Sequence, residues 1–368
     1  MKFICKKNEL VQAISIVSKA VSSKPQTPIL SGIYIKAEGS KVELHATNQE
    51  IGIICNISAD IEVSGDIVVS GRYAQEVIRK LPGENVTIEY DRQEKIVKIN
   101  SNSTNFTLLS MSPNDFPVIS ILESDMKFSI RDNVLKNLIN MTAFSCSNDE
   151  SRPIFTGCLM EINDNSIIMA ATNTHRLAFK EESIDGFTGT KKLIIPSKVL
   201  GELVRCMTSE IPSEVLISCT SNSISFSYEN IYISSRLIEG QFPDYRRVMP
   251  IDFATRVTLS TAEFSAAVDR VALISRTNDY KTIKMDFELN SVRISSNNPD
   301  VGFAEEIIPA LIDGNDTSIS FNAIYINDVM KVINSDKFYI CLNKSLDPAG
   351  IKQEDDESFK YIITPVRS

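Results

Sequence analysis

The chain has 368 residues, a formal net charge of -9 and 43% hydrophobic residues. That length exceeds one ordinary core, so two or three domains are expected, and the apolar fraction excludes wholesale disorder. No window approaches 18 consecutive apolar residues, which excludes a helical membrane span, and no apolar block of the signal-peptide kind follows Met1 to Lys7.

In chain order, a short strand over Lys2 to Cys5 leads into an amphipathic helix over 8–23. Leu10, Ala13, Ile14, Val17 and Val21 hold the spacing of one helix face. Period-two alternation then predicts three strands, carried by Ile33, Ile35 and Ala37, by Val42, Leu44 and Ala46, and by Ile51, Ile53 and Cys55. A second helix over 72–81 follows, with Ala74, Val77, Ile78 and Leu81 on its apolar face. Strands over Val86 to Tyr90, Ile96 to Asn100 and Phe106 to Ser110 close the unit. The order then recurs. Helices are predicted over 133–146 (Leu135, Leu138, Ile139, Thr142), 197–208 (Leu200, Leu203, Val204), 262–276 (Phe264, Ala267, Val268, Val271) and 323–333 (Ile326, Val329, Met330, Ile333). Ser260 and Glu263 form a capping-box pair before the fifth helix.

The recurrence is also one of identity. Shifted by 125 residues, Met1-Lys2-Phe3 falls on Met126-Lys127-Phe128, Pro28-Ile29 on Pro153-Ile154, and Ala46-Thr47-Asn48 on Ala171-Thr172-Asn173. Residues 1–48 and 126–173 agree at 13 positions without a gap, where chance gives about three. One residue further out of register, Phe116-Pro117 answers Phe242-Pro243. A fainter third copy starts at Thr255-Arg256-Val257. A period this long means repeated whole domains rather than a solenoid. The expected boundaries are 1–125, 126–250 and 251–368, and each unit reads as β-α-β-β-β taken twice. The fold class is therefore α+β, with helices segregated from sheets.

The catalytic inventory is thin. There are two histidines, His45 and His175, no Trp, and none of the phosphate-loop, dinucleotide, zinc-protease or nucleophile-elbow motifs. The 7 cysteines are odd in number and scattered, with no C-x-x-C, which argues against a disulfide framework or a structural zinc and for a reducing cytoplasm. No metal, cofactor or catalytic residue is expected. The six predicted helices carry ten Lys and Arg against six Asp and Glu, while the chain as a whole is acidic. Ordinary solvated helix faces would account for that excess; repeated threefold, it would also suit domains arranged around a polyanion.

Four stretches then carry a resemblance: Ser147-Asn148-Asp149-Glu150-Ser151-Arg152-Pro153, Ala171-Thr172-Asn173-Thr174-His175-Arg176-Leu177-Ala178, Leu237-Ile238-Glu239-Gly240-Gln241-Phe242-Pro243-Asp244-Tyr245-Arg246-Arg247, and Thr364-Pro365-Val366-Arg367-Ser368. In order and spacing, over the whole chain, the sequence resembles the bacterial DNA polymerase III beta subunit, the DNA sliding clamp. The resemblance implies a head-to-tail homodimer, a six-domain ring with sheets outside and helices lining a hole for duplex DNA. It implies a tether for the polymerase without chemistry of its own, held by phosphate contacts that carry no sequence information.

The resemblance also implies sites. DNA contacts are expected from Lys24, Arg72, Arg79, Lys80, Lys136, Lys198, Arg205 and Arg276. The dimer contact is expected to pair Phe106 and Leu108 with Leu273 and Ile274. A partner pocket is expected from Phe155, Thr172, Thr174, His175, Arg176 and Leu177, then Pro243, Arg247 and Val248, then Tyr280, Asn322, Tyr325, Leu346, Ile362, Thr364, Pro365, Val366 and Arg367. Phe155, Leu177, Val248, Ile362 and Val366 would form its apolar floor, and Arg176, Arg247 and Asn322 its fixed donors. Its ligands would be short Gln, Leu and Phe motifs of the polymerase alpha subunit, clamp loader and repair proteins. Two departures stand out. Asn173-Thr174 replaces the family's Asp-Gly, and Thr resists a positive φ, so a different loop geometry is expected. Thr364 and Ser368 replace apolar residues of the tail, which makes one pocket edge more polar. Two other readings remain: a repeated scaffold that never meets DNA, and a hydrolase working through His175, for which no partner acid or nucleophile stands at a motif spacing.

Overall fold

The structure is a computed structural model. It describes residues 1–368 apart from Ser23, Lys24, Gln26, Asp125, Asp185, Gly186, Thr188, 277–280, Leu289 and Ser368. The first repeat runs β1 (Lys2–Lys6), α1 (Lys7–Val17), β2 (Gly32–Glu38), β3 (Lys41–Thr47), β4 (Ile51–Ser58), β5 (Asp60–Val63), β6 (Gly65–Ser70), α2 (Gly71–Lys80), β7 (Asn85–Asp91), β8 (Ile96–Ser101) and β9 (Thr104–Met111). The second runs β10 (Met126–Arg131), α3 (Asp132–Thr142), β11 (Gly157–Ile162), β12 (Ser166–Thr172), β13 (Arg176–Ser183), β14 (Lys191–Pro196), α4 (Ser197–Cys206), β15 (Glu214–Cys219), β16 (Ser223–Tyr228) and β17 (Ile231–Arg236). The third runs β18 (Thr255–Ser260), α5 (Thr261–Ser275), β19 (Thr282–Glu288), β20 (Ser291–Asn298), β21 (Gly302–Pro309), β22 (Leu311–Asp313), β23 (Thr317–Asn322), α6 (Ala323–Met330), β24 (Lys337–Leu342), β25 (Ala349–Gln353) and β26 (Phe359–Ile363). The doubled β-α-β-β-β order is as read from the sequence, with β5 and β22 as short additions.

The chain forms two compact units, 1–133 with 201–237 and 134–200 with 238–368. In the first, one sheet runs β10-β15-β16-β17-β4-β3-β2-β6-β9-β8-β7-β1-β5. It is continuous because β17 pairs antiparallel with β4, Ile231 opposite Cys55 and Ser235 opposite Ile51. Leu10, Ala13, Ile14 and Val17 of α1 are buried, at about 1.5–3 kcal/mol for each large aliphatic side chain. The helix ends at Val17, well short of residue 23, and tightens into a 3-10 turn over Ser18–Ala20. Val21 lies beyond that turn, against Gly71, where an added Cβ would stand 3.1 Å from its Cγ2.

In the second unit, one sheet runs β14-β11-β12-β13-β26-β25-β24-β18-β22 and another β21-β20-β19-β23. β13 pairs antiparallel with β26, Arg176 opposite Ile363 and Leu177 opposite Ile362. The core gathers Phe264, Ala267, Val268 and Val271 from α5 with Ile326, Val329 and Met330 from α6 over the strands. The Ser260 hydroxyl accepts the Glu263 N–H at the start of α5, as the capping-box spacing predicts.

His45, on β3, is largely buried. Its side chain is 13% exposed, meets Tyr34 edge-on at 5.3 Å and bonds Glu43 at 3.1 Å. Burial holds its pKa below the usual 6.5, against a weaker upward pull from Glu43.

Candidate functional site

The turn between β12 and β13 is built by its own side chains. The Thr172 hydroxyl donates to the Arg176 carbonyl at 2.6 Å and accepts the Thr174 N–H at 3.0 Å. Asn173 Oδ1 accepts the N–H groups of His175 and Arg176 at 3.0 and 3.1 Å. Thr174 sits at φ 77°. Thr174 takes a conformation a Gly would take freely and bears the strain, because four side-chain hydrogen bonds fix the turn around it.

β26 lies beside β13 and delivers the tail to this turn. The Thr364 N–H and hydroxyl both donate to the His175 carbonyl, at 2.9 and 3.0 Å. The hydroxyl is thereby satisfied inside the chain, so the Thr in place of an apolar tail residue adds little unpaired polarity. The Val366 N–H donates to the Ser320 carbonyl at 2.8 Å and seats the tail beside β23.

A cavity of about 340 Å³ opens here, lined by Phe155, Thr172, Thr174, His175, Arg176, Leu177, Pro243, Asp244, Tyr245, Val248, Pro348, Ile362 and Thr364. An adjoining cavity of about 320 Å³ is lined by His175, Asn322, Tyr325, Thr364, Pro365, Val366 and Arg367. His175 and Thr364 belong to both, and the His175 ring stacks on Tyr325 at 6.5 Å. Residues from three distant stretches thus meet around His175 and Thr364. Val366 lines the second cavity rather than the floor of the first.

Several expected members are engaged otherwise or fall elsewhere. Arg176 reaches the wall but turns its guanidinium inward: it pairs with Asp328 at 2.7 Å, donates to the Phe144 carbonyl and lies 4.5 Å over the Tyr325 ring. Buried, with both terminal nitrogens committed inside the chain, it holds the wall in place. Asn322 spends its side-chain oxygen on the Ile324 N–H, capping α6. Arg247 is 84% exposed and pairs with Asp244 at 3.0 Å, outside the lining. Leu346 is 62% exposed and its place is taken by Pro348. Tyr280 lies outside the described residues.

Tyr245 and Asp244 were not anticipated. The Phe-Pro-Asp run flagged the segment, but only the fold shows Tyr245 buried against Phe179, donating to Glu161 at 3.4 Å while Arg246 grips that carboxylate at 3.1 and 3.3 Å. Burial pushes the Tyr245 hydroxyl pKa up, with Glu161 adding to it.

Of the cations expected at DNA, Lys24 lies outside the described residues. Arg79 and Lys80 are exposed in the last turn of α2, and Arg276 is exposed at the end of α5. Arg72 pairs with Glu76 at 3.4 Å, Lys198 with Glu150 at 3.2 Å, and Arg205 with Glu202. Lys136 is half-buried on α3. Among the residues expected at the dimer contact, Phe106 is 38% and Leu273 51% exposed, and Leu108 and Ile274 are half-buried. No group of three or more potential metal ligands occurs among the described residues.

Three doubled β-α-β-β-β repeats with an apolar cleft where the second and third are stitched together define a tandem-domain binding protein. The same three parts match the N-terminal, central and C-terminal domains of the DNA polymerase III beta subunit, over residues 1–120, 129–244 and 246–367. The beta sliding clamp of Staphylococcus epidermidis is 32% identical over 377 residues, covering all of both chains. The crystal structure of the Bacillus subtilis sliding clamp superposes with a TM-score of 0.94 at 32% identity, over 100% of this chain and 99% of that one. That of the Pseudomonas aeruginosa clamp bound to griselimycin does so at 0.94 and 27% identity, over all of both. The chain belongs to the DNA polymerase III beta subunit family, the DNA sliding clamps, which act as processivity factors for the replicative polymerase and not as catalysts.

Proposed function

We propose that two copies of the chain close head to tail into a ring around duplex DNA, and that the cleft beside His175 takes short partner peptides. The observation that carries the ring is a pattern of strand edges. At the first repeat junction β4 pairs with β17, and at the second β13 pairs with β26. In each case the third strand of a repeat's first half meets the last strand of the next repeat. The third strand of that kind, β21, pairs only with β20 among the described residues. The first repeat's last strand, β9, pairs with β8 and, only through Ser110 and Met111, with β6. β21 of one copy beside β9 of another completes the series, with two such contacts in a dimer. Unpaired edges with exposed apolar side chains are what a partner strand covers. Phe303 and Ile307 on β21 are 61% and 54% exposed, Leu109 on β9 is 80% exposed, and Leu273 stands nearby on α5, which packs on β21. Phe303, Ile307 and Leu109 thus join Phe106, Leu108, Leu273 and Ile274 in the proposed interface.

The domain boundaries 1–125, 126–250 and 251–368 are supported by the family matches, which fall within them to a few residues. Lys24, Arg72, Arg79, Lys80, Lys136, Lys198, Arg205 and Arg276 are proposed as sequence-independent phosphate contacts. The cleft's apolar lining and its single ring stack suit a segment burying two or three Leu or Phe side chains, at about -6 to -8 kcal/mol after ordering costs. A cytoplasmic location is supported by seven free cysteines and by the lack of any helix, among the described residues, long and apolar enough to cross a membrane. The test is retention on DNA: the loaded protein should stay on nicked circular plasmid and leave when the plasmid is linearised. Equal retention on both forms would reject the ring. Removal of Pro365 to Ser368 should abolish binding of a Gln-Leu-Leu-Phe peptide while the protein is still retained on circles; undiminished peptide affinity would reject the cleft.

A further inference from the structure

The turn that shapes the partner cleft occurs twice. Between β3 and β4, the Thr47 hydroxyl donates to the Ile51 carbonyl at 2.8 Å and accepts the Gln49 N–H at 2.9 Å. Asn48 Oδ1 accepts the N–H groups of Glu50 and Ile51 at 3.0 and 2.9 Å. Gln49 has φ 74° against 77° at Thr174. The Arg236 N–H donates to the Glu50 carbonyl at 3.3 Å, as the Thr364 N–H does to His175. Bond for bond, Thr47, Asn48, Gln49 and Glu50 stand where Thr172, Asn173, Thr174 and His175 stand in the other unit. Here too a cavity opens beside the turn, of about 610 Å³, bounded by the segment after Phe116-Pro117, the counterpart of Phe242-Pro243.

The two clefts differ in chemistry. Gly52 and Ser234 replace the Leu177 and Ile362 pair, so the floor loses two large aliphatic side chains and is more polar. Its wall is the segment 117–122, tied down where Tyr232 accepts the Leu122 N–H at 2.7 Å. Among the described residues, the N–H groups of Val118, Ile119, Ser120 and Ile121 have no partner in the chain. Val118, Ile119 and Leu122 line the cavity, and Val118 is 88% exposed. At the rim the exposed Arg236 has, among the described residues, no carboxylate within ion-pair distance. Unpaired backbone donors, of which alternate residues can face one strand, an aliphatic wall and a free guanidinium ask for one kind of ligand: an extended peptide that pairs with those donors, lays aliphatic side chains on the wall and gives a carboxylate to Arg236.

We propose that this cleft is a second peptide-docking site, taking an extended segment with an acidic residue between aliphatic ones. The proposal rests on the peptide reading of the His175 cleft for its analogy, and on its own backbone donors and Arg236 for its specificity. The probes are labelled Ala-Leu-Asp-Val-Leu-Ala, the same peptide with Lys for Asp, and Gln-Leu-Leu-Phe, each measured by fluorescence anisotropy on the intact protein. The acidic peptide should bind, and bind at least tenfold more weakly when its Asp is Lys. Arg236→Glu and, separately, Val118→Asp should each weaken it at least tenfold, and removal of Pro365 to Ser368 should leave it unchanged. Both substituted residues are exposed, so the fold is not at stake. No binding to the unaltered protein, affinity unmoved by Arg236→Glu, or loss on removing the tail would each overturn the proposal. The Gln-Leu-Leu-Phe arm separates the two readings, since its loss on tail removal and indifference to Arg236→Glu report on the His175 cleft alone.

Discussion

Thr174 holds a left-handed conformation that costs a β-branched residue about 1–3 kcal/mol. The strain is balanced by the Thr172 and Asn173 hydrogen bonds, all of which use backbone N–H and C=O groups or neighbouring side chains. Thr174→Gly should therefore keep the turn and relieve the strain. Allowing for the extra freedom of Gly in the unfolded chain, a gain of up to about 1 kcal/mol is expected in urea unfolding; a decrease would mean that the Thr side chain itself makes an interaction of value. His45 offers a second residue-scale test. Burial depresses its pKa in the folded chain, so below about 6.5 the unfolded chain binds more protons than the folded one. Stability from this group is complete above about 6.5 and is lost as the pH falls through the lowered value. His45→Phe should flatten the acid limb of the stability curve, and an unchanged limb measured by chemical denaturation between pH 7 and 5 would reject the assignment.

The elements were legible where side-chain period alone decides them, and less so at their ends. Alternation located the strands because half of each is buried, but the apolar stripe of a helix continues past its last hydrogen-bonded turn: Leu81 and Ile333 are buried although α2 ends at Lys80 and α6 at Met330. Burial there comes from turns folded back on the core, which a helical period cannot distinguish from more helix. The cleft was legible as a set of segments and not as a set of side-chain directions. Arg176 reads as a donor beside His175, yet Asp328, Phe144 and Tyr325 arrive from far along the chain to take its guanidinium. Edges are likewise invisible in sequence, since nothing in Phe303 or Ile307 says that β21, among the described residues, has a neighbour on one side alone. That edge carries the element-scale prediction. Ile307→Lys places a charge on an exposed strand position and should cost the fold less than about 0.5 kcal/mol. If β21 meets β9 of a second copy, the same change should shift the native particle toward monomer in sedimentation at micromolar concentration. A dimer as stable as the unaltered one would place the interface elsewhere.

For the molecule as a whole, charge is the quantity the sequence overstated. With their ends fixed by the fold, the six helices hold eight Lys and Arg against seven Asp and Glu. The excess read from longer helices came from residues such as Lys19, Arg276 and Lys331, which stand in the turns that follow. A ring around DNA would then depend on particular unpaired cations rather than on basic helices. Arg72, Lys198 and Arg205 are held by Glu76, Glu150 and Glu202, and would have to exchange a carboxylate for a phosphate, with little net release of counterions. Arg79 and Lys80 have no such partner among the described residues, and both are exposed. Each phosphate they neutralise should contribute about 0.9 to the slope of log affinity against log salt. Arg79→Glu with Lys80→Glu should therefore lower that slope, measured as retention on nicked circular plasmid across a salt series, by about 0.9 for every phosphate no longer neutralised. Lys198→Glu with Arg205→Glu should lower it by less. If the paired cations mattered as much as the free ones, the ion pairs seen in the folded chain would have to open on DNA, and the choice of DNA-facing cations by charge pairing would be wrong.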